Sequence, residues 1–142
     1  MTKPTIPSEL RRQVSEDARA RCGYCHTSAR TIGEPMVIDH LVPTARGGLT
    51  VRENLWLACR RCNEFKGTLV EAADPQTGMM VPLFNPRTQS WSVHFTWSPS
   101  GTEIIGLTAS GRATVIALRL NNPEIVAART LWVQVGWHPP KE

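Results

Sequence analysis

The sequence predicts an α+β protein: a strand–loop–strand–helix unit pinned by zinc, with a helix before it and a β-hairpin plus helices after it. Three observations carry this reading. All four cysteines stand in two Cys-x-x-Cys pairs, Cys22/Cys25 and Cys59/Cys62, the common presentation of four thiolates to one tetrahedral zinc ion. Two short apolar runs, Met36-Val37-Ile38 and Leu55-Trp56-Leu57-Ala58, lie between the pairs and read as strands. Apolar stripes at helical spacing mark both flanks of that stretch. The 142 residues are 41% hydrophobic and 20% charged, ordinary for a globular chain. One domain over 1–142 is expected, with its core at 19–67 and a supporting part at 68–142. No run approaches the length of a membrane-spanning helix, and the sequence holds no internal repeat or low-complexity tract.

Residues 1–7, with Pro4 and Pro7, read as a loose leader. Ser8 is a good N-cap for a helix over about 8–20, with a stripe of Leu10, Val14, Ala18 and Ala20. The helix leads into the first cysteine pair. The 33 residues between Cys25 and Cys59 exceed a short zinc-ribbon spacing, so a small module fits inside the loop. Two disulfides are the rival reading, and a Cys-x-x-Cys redox pair is another. No signal peptide or apolar h-region precedes residue 22, which points to the cytoplasm, where disulfides are disfavoured. Two paired knuckles also suit zinc better than redox chemistry. His26 adjoins Cys25, but four thiolates already fill the shell, so it reads as a bystander.

The first strand ends in Asp39-His40, and Pro43 with Gly47-Gly48 then forces a loop. In the second strand Trp56 and Leu57 are assigned to the core rather than to base stacking. A short helix from about Arg60 stops at Gly67; on it Asn63 and Lys66 are three apart and share a face. Residues 68–90 read as irregular, with turn signals at Asp74-Pro75 and Thr77-Gly78. There Met79-Met80-Val81 is a short strand or a gap-filling contact. Residues 91–107 read as a hairpin: Trp91, Val93, Phe95 and Trp97 alternate onto one face, and Ser98-Pro99-Ser100-Gly101 turns the chain. His94 falls on the other face, as a structural hydrogen-bonding group. A helix over about 110–120 comes next. The last helix starts with Asn122 as N-cap and Pro123 in the first position, carries Ile125, Ala128, Leu131 and Trp132 as its stripe, and stops at Gly136.

Asp39 and Asn63 offer hard oxygen ligands, which suit Mg²⁺ or Mn²⁺ better than zinc. Two protein ligands leave room for water and phosphate oxygens. His40 adjoins Asp39, and strand neighbours point to opposite faces, so it reads as a general base on water. These are the parts of a one-metal phosphodiester hydrolase. The net charge is +4, and residues 19–67 hold eight Lys/Arg against four acids, so the whole excess sits there. That suits a polyanion such as DNA. Few aromatics interleave with these residues, which favours backbone contact over base readout. Lys66, Arg60, Arg61 and Arg46 are the candidate phosphate contacts.

Asp39-His40-x-x-Pro43, the Gly47-Gly48 loop, Glu53-Asn54-Leu55 and Cys59-x-x-Cys62-Asn63-x-x-Lys66-Gly67 resemble the HNH endonuclease family. The resemblance implies a ββα-metal (His-Me finger) core, with His40 as general base and Asp39 with Asn63 on the catalytic metal. It also implies that Asn54 bonds loop backbone and orients His40, and that cleavage leaves a 5′-phosphate and a 3′-hydroxyl. Asn63 stands where many members carry His. The flanks, notably Leu83-Phe84-Asn85-Pro86-Arg87, His94-Phe95-x-Trp97 and Gly106-Leu107-Thr108, resemble small stand-alone bacterial members. The rival function is a zinc-dependent DNA-binding module without catalysis, which needs the cysteines and the basic face but not His40. A protein-interaction zinc finger fits the basic bias less well. The sequence sets no oligomeric state.

Overall fold

The computed structural model describes residues 5–141, so residues 1–4 of the expected leader lie outside the described residues. Helix α1 (Ser8–Asp17) is shorter than expected, and Pro7 rather than Ser8 holds the capping position, with no side-chain cap. The chain leaves the helix because Arg19 and Ala20 take the left-handed region, with φ of 54° and 56°, where α-helical bonding cannot continue. Val14 and Ala18 are buried against Leu55 and Leu57, with Leu10 alongside. Ala20 is exposed and stands outside the stripe.

Helix α2 (Ala29–Ile32), capped by Ser28, follows the first cysteine pair. Strands β1 (Val37–His40) and β2 (Leu55–Ala58) pair antiparallel, Val37 opposite Ala58 and His40 opposite Leu55. Opposed residues in such a ladder share a face. Asp39 and Trp56 therefore stand on one side, His40 and Leu55 on the other. Helix α3 (Arg60–Lys66) starts at once, because Cys59 caps it: the Cys59 sulfur accepts from the Cys62 amide at 3.4 Å. The order strand, loop, strand, helix is the one the sequence predicts.

Residues 68–90 hold more regular structure than expected. Strand β3 (Glu71–Ala73) pairs with β4 (Met80–Pro82). Asp74 makes the turn: its buried carboxylate accepts from the Gln76 amide and the Thr77 hydroxyl and pairs with Arg112. Strands of three residues are too short for alternation to reveal them. The hairpin expected over 91–107 is corrected at its start. Trp91–His94 form a helical turn, α4, and only β5 (Phe95–Trp97) and β6 (Ile104–Gly106) pair. Alternation misleads here because Trp91 is held by tertiary contacts. Its ring stacks on His26 at 4.5 Å, and its indole N–H donates to the Tyr24 carbonyl at 2.9 Å. Val93 points to solvent. His94 meets the Thr108 hydroxyl at 2.7 Å.

Helix α5 (Ala109–Ala117) is capped by Thr108. Helix α6 (Pro123–Gln134) starts as predicted, with Asn122 as cap and Pro123 first. Of the expected stripe Ile125 is buried and Ala128 and Trp132 are half-buried, but Leu131 is 63% exposed and Arg129 is fully buried. The Arg129 guanidinium is drawn inward by the Thr102 and Leu120 carbonyls and the Asn121 side chain, at 3.0, 2.7 and 3.2 Å. Two apolar clusters form the core. One joins α1 to β2. The other gathers the four cysteines with Tyr24, Leu83, Phe84, Phe95, Ile104, Leu118 and Leu120, so the later part of the chain roofs the cysteine cluster. Among the described residues no helix is long and apolar enough to cross a membrane.

Candidate active site and metal centre

Cys22 and Cys25 come from the turn after α1, Cys59 and Cys62 from the start of α3. Their four sulfurs are buried and lie within 4.8 Å of one another. The Cys25 and Cys59 sulfurs are 3.8 Å apart. A tetrahedron with metal–sulfur bonds of about 2.3 Å has edges of about 3.8 Å, so the four sulfurs fit one zinc ion. A disulfide needs about 2.05 Å, and all four cysteines are free. Burial first, and then the neighbouring Cys25 and Cys59, push the Cys22 thiol well above its ordinary value; a divalent cation reverses that preference and holds thiolates.

Arg61, expected at a phosphate, turns toward this cluster instead. It is mostly buried, and its Nε and Nη2 have no hydrogen-bond partner. Burial opposes its charge, yet the four neighbouring sulfurs hold its pKa above the ordinary value. The physical reason is position: Arg61 lies between Cys59 and Cys62 on the first turn of α3. Its cation would offset the negative charge that four thiolates keep around one divalent ion. His26 is not within the sulfur cluster. It stacks on Trp91, with its pKa lowered to about 4 by burial and by nearby Arg21.

The second centre lies at the end of β1. Asp39 is buried, at 2% exposure, and three side chains converge on its carboxylate. Tyr24 Oη donates to Oδ2 at 2.6 Å. Asn63 Nδ2 and Lys66 Nζ donate to Oδ1 at 3.3 and 3.1 Å. Asn63 and Lys66 share the face of α3 that the spacing predicts, and that face looks at Asp39. Lys66 is itself 2% exposed. Its ammonium donates also to the His40 carbonyl at 3.0 Å. The expected phosphate contact from Lys66 gives way to this inward role, because a buried ammonium needs a carboxylate and carbonyls around it.

His40, on the other face of β1, meets the Thr50 hydroxyl through Nε2 at 3.0 Å. Asn54 staples the loop between the strands. Its Oδ1 accepts from the Val42 amide at 2.8 Å, and its Nδ2 donates to the Val42 and Leu49 carbonyls at 3.0 and 2.9 Å. Gly48 is required beneath it: an added Cβ would stand 1.7 Å from the Val42 carbonyl oxygen. Arg60 and Arg46 are exposed, and Arg46 Nε donates to the Thr68 carbonyl at 2.6 Å.

Sequence reasoning missed Tyr24 and Thr50. Each lies ten or more residues from its partner, and neither belongs to a spacing that marks it. Tyr24 remains a hydrogen-bond donor, because burial and the Asp39 charge push its phenol well above the ordinary range.

The hairpin and helix beside the cysteine cluster carry Asp39-His40 at the end of the first strand. Residues 22–68 match the model of the HNH endonuclease family. The chain is also 36% identical over 94 residues to the CRISPR-associated endonuclease Cas9 of Corynebacterium diphtheriae. That alignment takes in 63% of this chain and 8% of the Cas9 protein. No solved structure matches the chain.

Proposed function

We propose that the protein is a metal-dependent DNA endonuclease that hydrolyses phosphodiester bonds with His40 as general base. The observation that carries this reading is the convergence of Asp39 and Asn63, 3.3 Å apart, directly beside His40 and inside the HNH-matched stretch. A half-turn of the Asn63 amide brings its oxygen toward the same point, and the two hard oxygens suit Mg²⁺ or Mn²⁺. These two residues would hold the ion. Bound there, it supplies Lewis acidity for charge on the leaving oxygen.

The rest belongs to the side chains. Tyr24 and Lys66 fix the Asp39 carboxylate. Thr50 orients the His40 ring, and Asn54 holds the loop that carries Thr50. His40 takes a proton from the water that attacks phosphorus in line. The exposed Arg60 and Arg46 lie along the basic stretch and engage the DNA backbone. The four cysteines hold a structural zinc, and residues 68–142 complete the same domain.

Purified protein incubated with supercoiled plasmid and Mg²⁺ or Mn²⁺ is expected to relax or linearise it, and EDTA to stop this. His40→Ala should lower the rate by about 10²–10⁴-fold while DNA binding persists. Cleavage by His40→Ala at the wild-type rate would remove His40 as base. Wild type that binds DNA but cuts neither DNA nor RNA with any divalent ion would favour the non-catalytic zinc module.

A further inference from the structure

A groove of about 460 Å³ opens beside the cysteine knuckle, on the Trp56 side of the hairpin. The volume lies in the range of ligand pockets, about 300–1,000 Å³. Its lining is brought together from three distant parts of the chain. Arg19 and Arg21 come from the end of α1, Trp56 from β2, and Trp91 and Ser92 from α4, with His26 beside them. Gly23 lies under the Trp56 edge: an added Cβ would stand 2.3 Å from Trp56 Cδ1 and 2.8 Å from Pro86 Cβ. Arg19 is exposed at the rim, and the Arg21 guanidinium also reaches the Lys141 carbonyl. Trp91 and His26 stack on each other and the Arg87 guanidinium lies over the Trp56 ring at 4.9 Å, so the groove is walled by aromatic rings with a cationic rim, the pattern that holds unpaired bases and their phosphates. The sequence hides it, because Trp91 is 70 residues from Arg21.

The groove is wired to the centre at Asp39. Trp56 stands opposite Asp39 in the β-ladder. Tyr24 links the two directly: its carbonyl accepts from Trp91 Nε1 at 2.9 Å, and its hydroxyl donates to Asp39 at 2.6 Å.

From this arrangement we infer that the groove binds one unpaired nucleotide of single-stranded DNA, its base laid against Trp56 and the stacked Trp91–His26 pair and its phosphate at Arg19 and Arg21. The inference rests on the nucleic-acid reading above and adds a preference for strands with an unpaired base near the cleavage point. Binding is measured in EDTA, so that nothing is cut, with an eight-nucleotide oligothymidylate and with a blunt duplex of the same length. The single strand should quench tryptophan fluorescence. Ser92→Glu, at an exposed position, places a carboxylate in the groove and should weaken the single strand about tenfold, the worth of one stacked base, while the duplex changes little. Trp91→Leu should act likewise, and far-ultraviolet circular dichroism checks that each variant is folded. Equal loss for single strand and duplex, or a single strand that binds without quenching, overturns the groove. Plasmid cleavage by wild type is scored separately. Absent cleavage with the single-strand preference intact sinks the nuclease and leaves the groove. Cleavage with both variants binding as wild type does the reverse.

Discussion

Lys66 shows how much a single buried charge decides. Its ammonium is the cation that balances Asp39 in the interior, at 3.1 Å. Removing one member of a buried pair leaves the other without compensation, at a cost of about 3–5 kcal/mol. Lys66→Met is therefore expected to lower the melting temperature sharply, and Mn²⁺ should restore part of it by replacing the lost charge at Asp39. A calorimetric melt with and without Mn²⁺ measures this; a variant as stable as wild type without metal would mean the pair contributes little. Asp39, His40, Asn54 and Asn63 stand out in the sequence because they occur together at set offsets from the cysteine pairs, and the fold brings Asn63 to 3.3 Å from Asp39. Lys66 and Arg61 were legible as residues on α3 but not in direction. A helix position says which residues share a face, and only packing says whether that face looks at solvent, at a carboxylate or at four sulfurs.

Between elements a three-way tie centres on Asp17, the last residue of α1. Its carboxylate takes Arg52 at 2.7 Å and Arg87 at 2.9 Å, and Arg87 Nη2 also donates to the Leu55 carbonyl at 2.9 Å. One side chain thus joins the first helix, the turn before β2 and the segment after β4. The Arg52 hydrogen bond and then Arg87 hold the Asp17 pKa at about 2, below the ordinary 3.8. A carboxylate depressed in the folded state stabilises above its unfolded pKa, and that contribution is lost as pH falls through the folded value. Stability should therefore fall between about pH 4 and pH 2, by about 1–2 kcal/mol from this group. Asp74, also depressed, by Arg112 first, loses its contribution in the same direction. Urea melts across that range are expected to show a shallower slope for Asp17→Asn. Unchanged slopes would mean that the bridge carries no net stability. At this scale the sequence predicted the four longer helices and the β1–β2 pair but not α2, since caps and apolar runs are local signals that a single helical turn does not show. It missed β3, too short to show a period, while Met79-Met80-Val81, read as a short strand or a contact, overlaps β4; it failed at Trp91, whose conformation is set by contacts with His26 and Tyr24.

For the molecule as a whole the cysteine cluster is the hinge of stability. Elemental analysis is expected to find one zinc per chain, and Cys59→Ser should cost a metal ligand while leaving an oxygen able to cap α3, so chelation or this substitution should unfold the α3 region and with it the Asn63 face through loss of the metal. Folded, metal-free protein would contradict the assignment. That the later chain roofs the cluster was not legible, since nothing in the spacing of Phe95, Ile104, Leu118 and Leu120 refers to residues 22–62; only the fold brings them there. The roof has a consequence for the order of events at the ribosome. Synthesis delivers the N-terminal part first, so all four thiols are made while Phe95 and everything after it have yet to be added. In that interval the ligand set is complete and uncovered, and an ion can enter from water without crossing a packed interior. Once the final third of the chain has docked, the same cluster is sealed, and metal exchange in the finished protein must wait for that third to lift away.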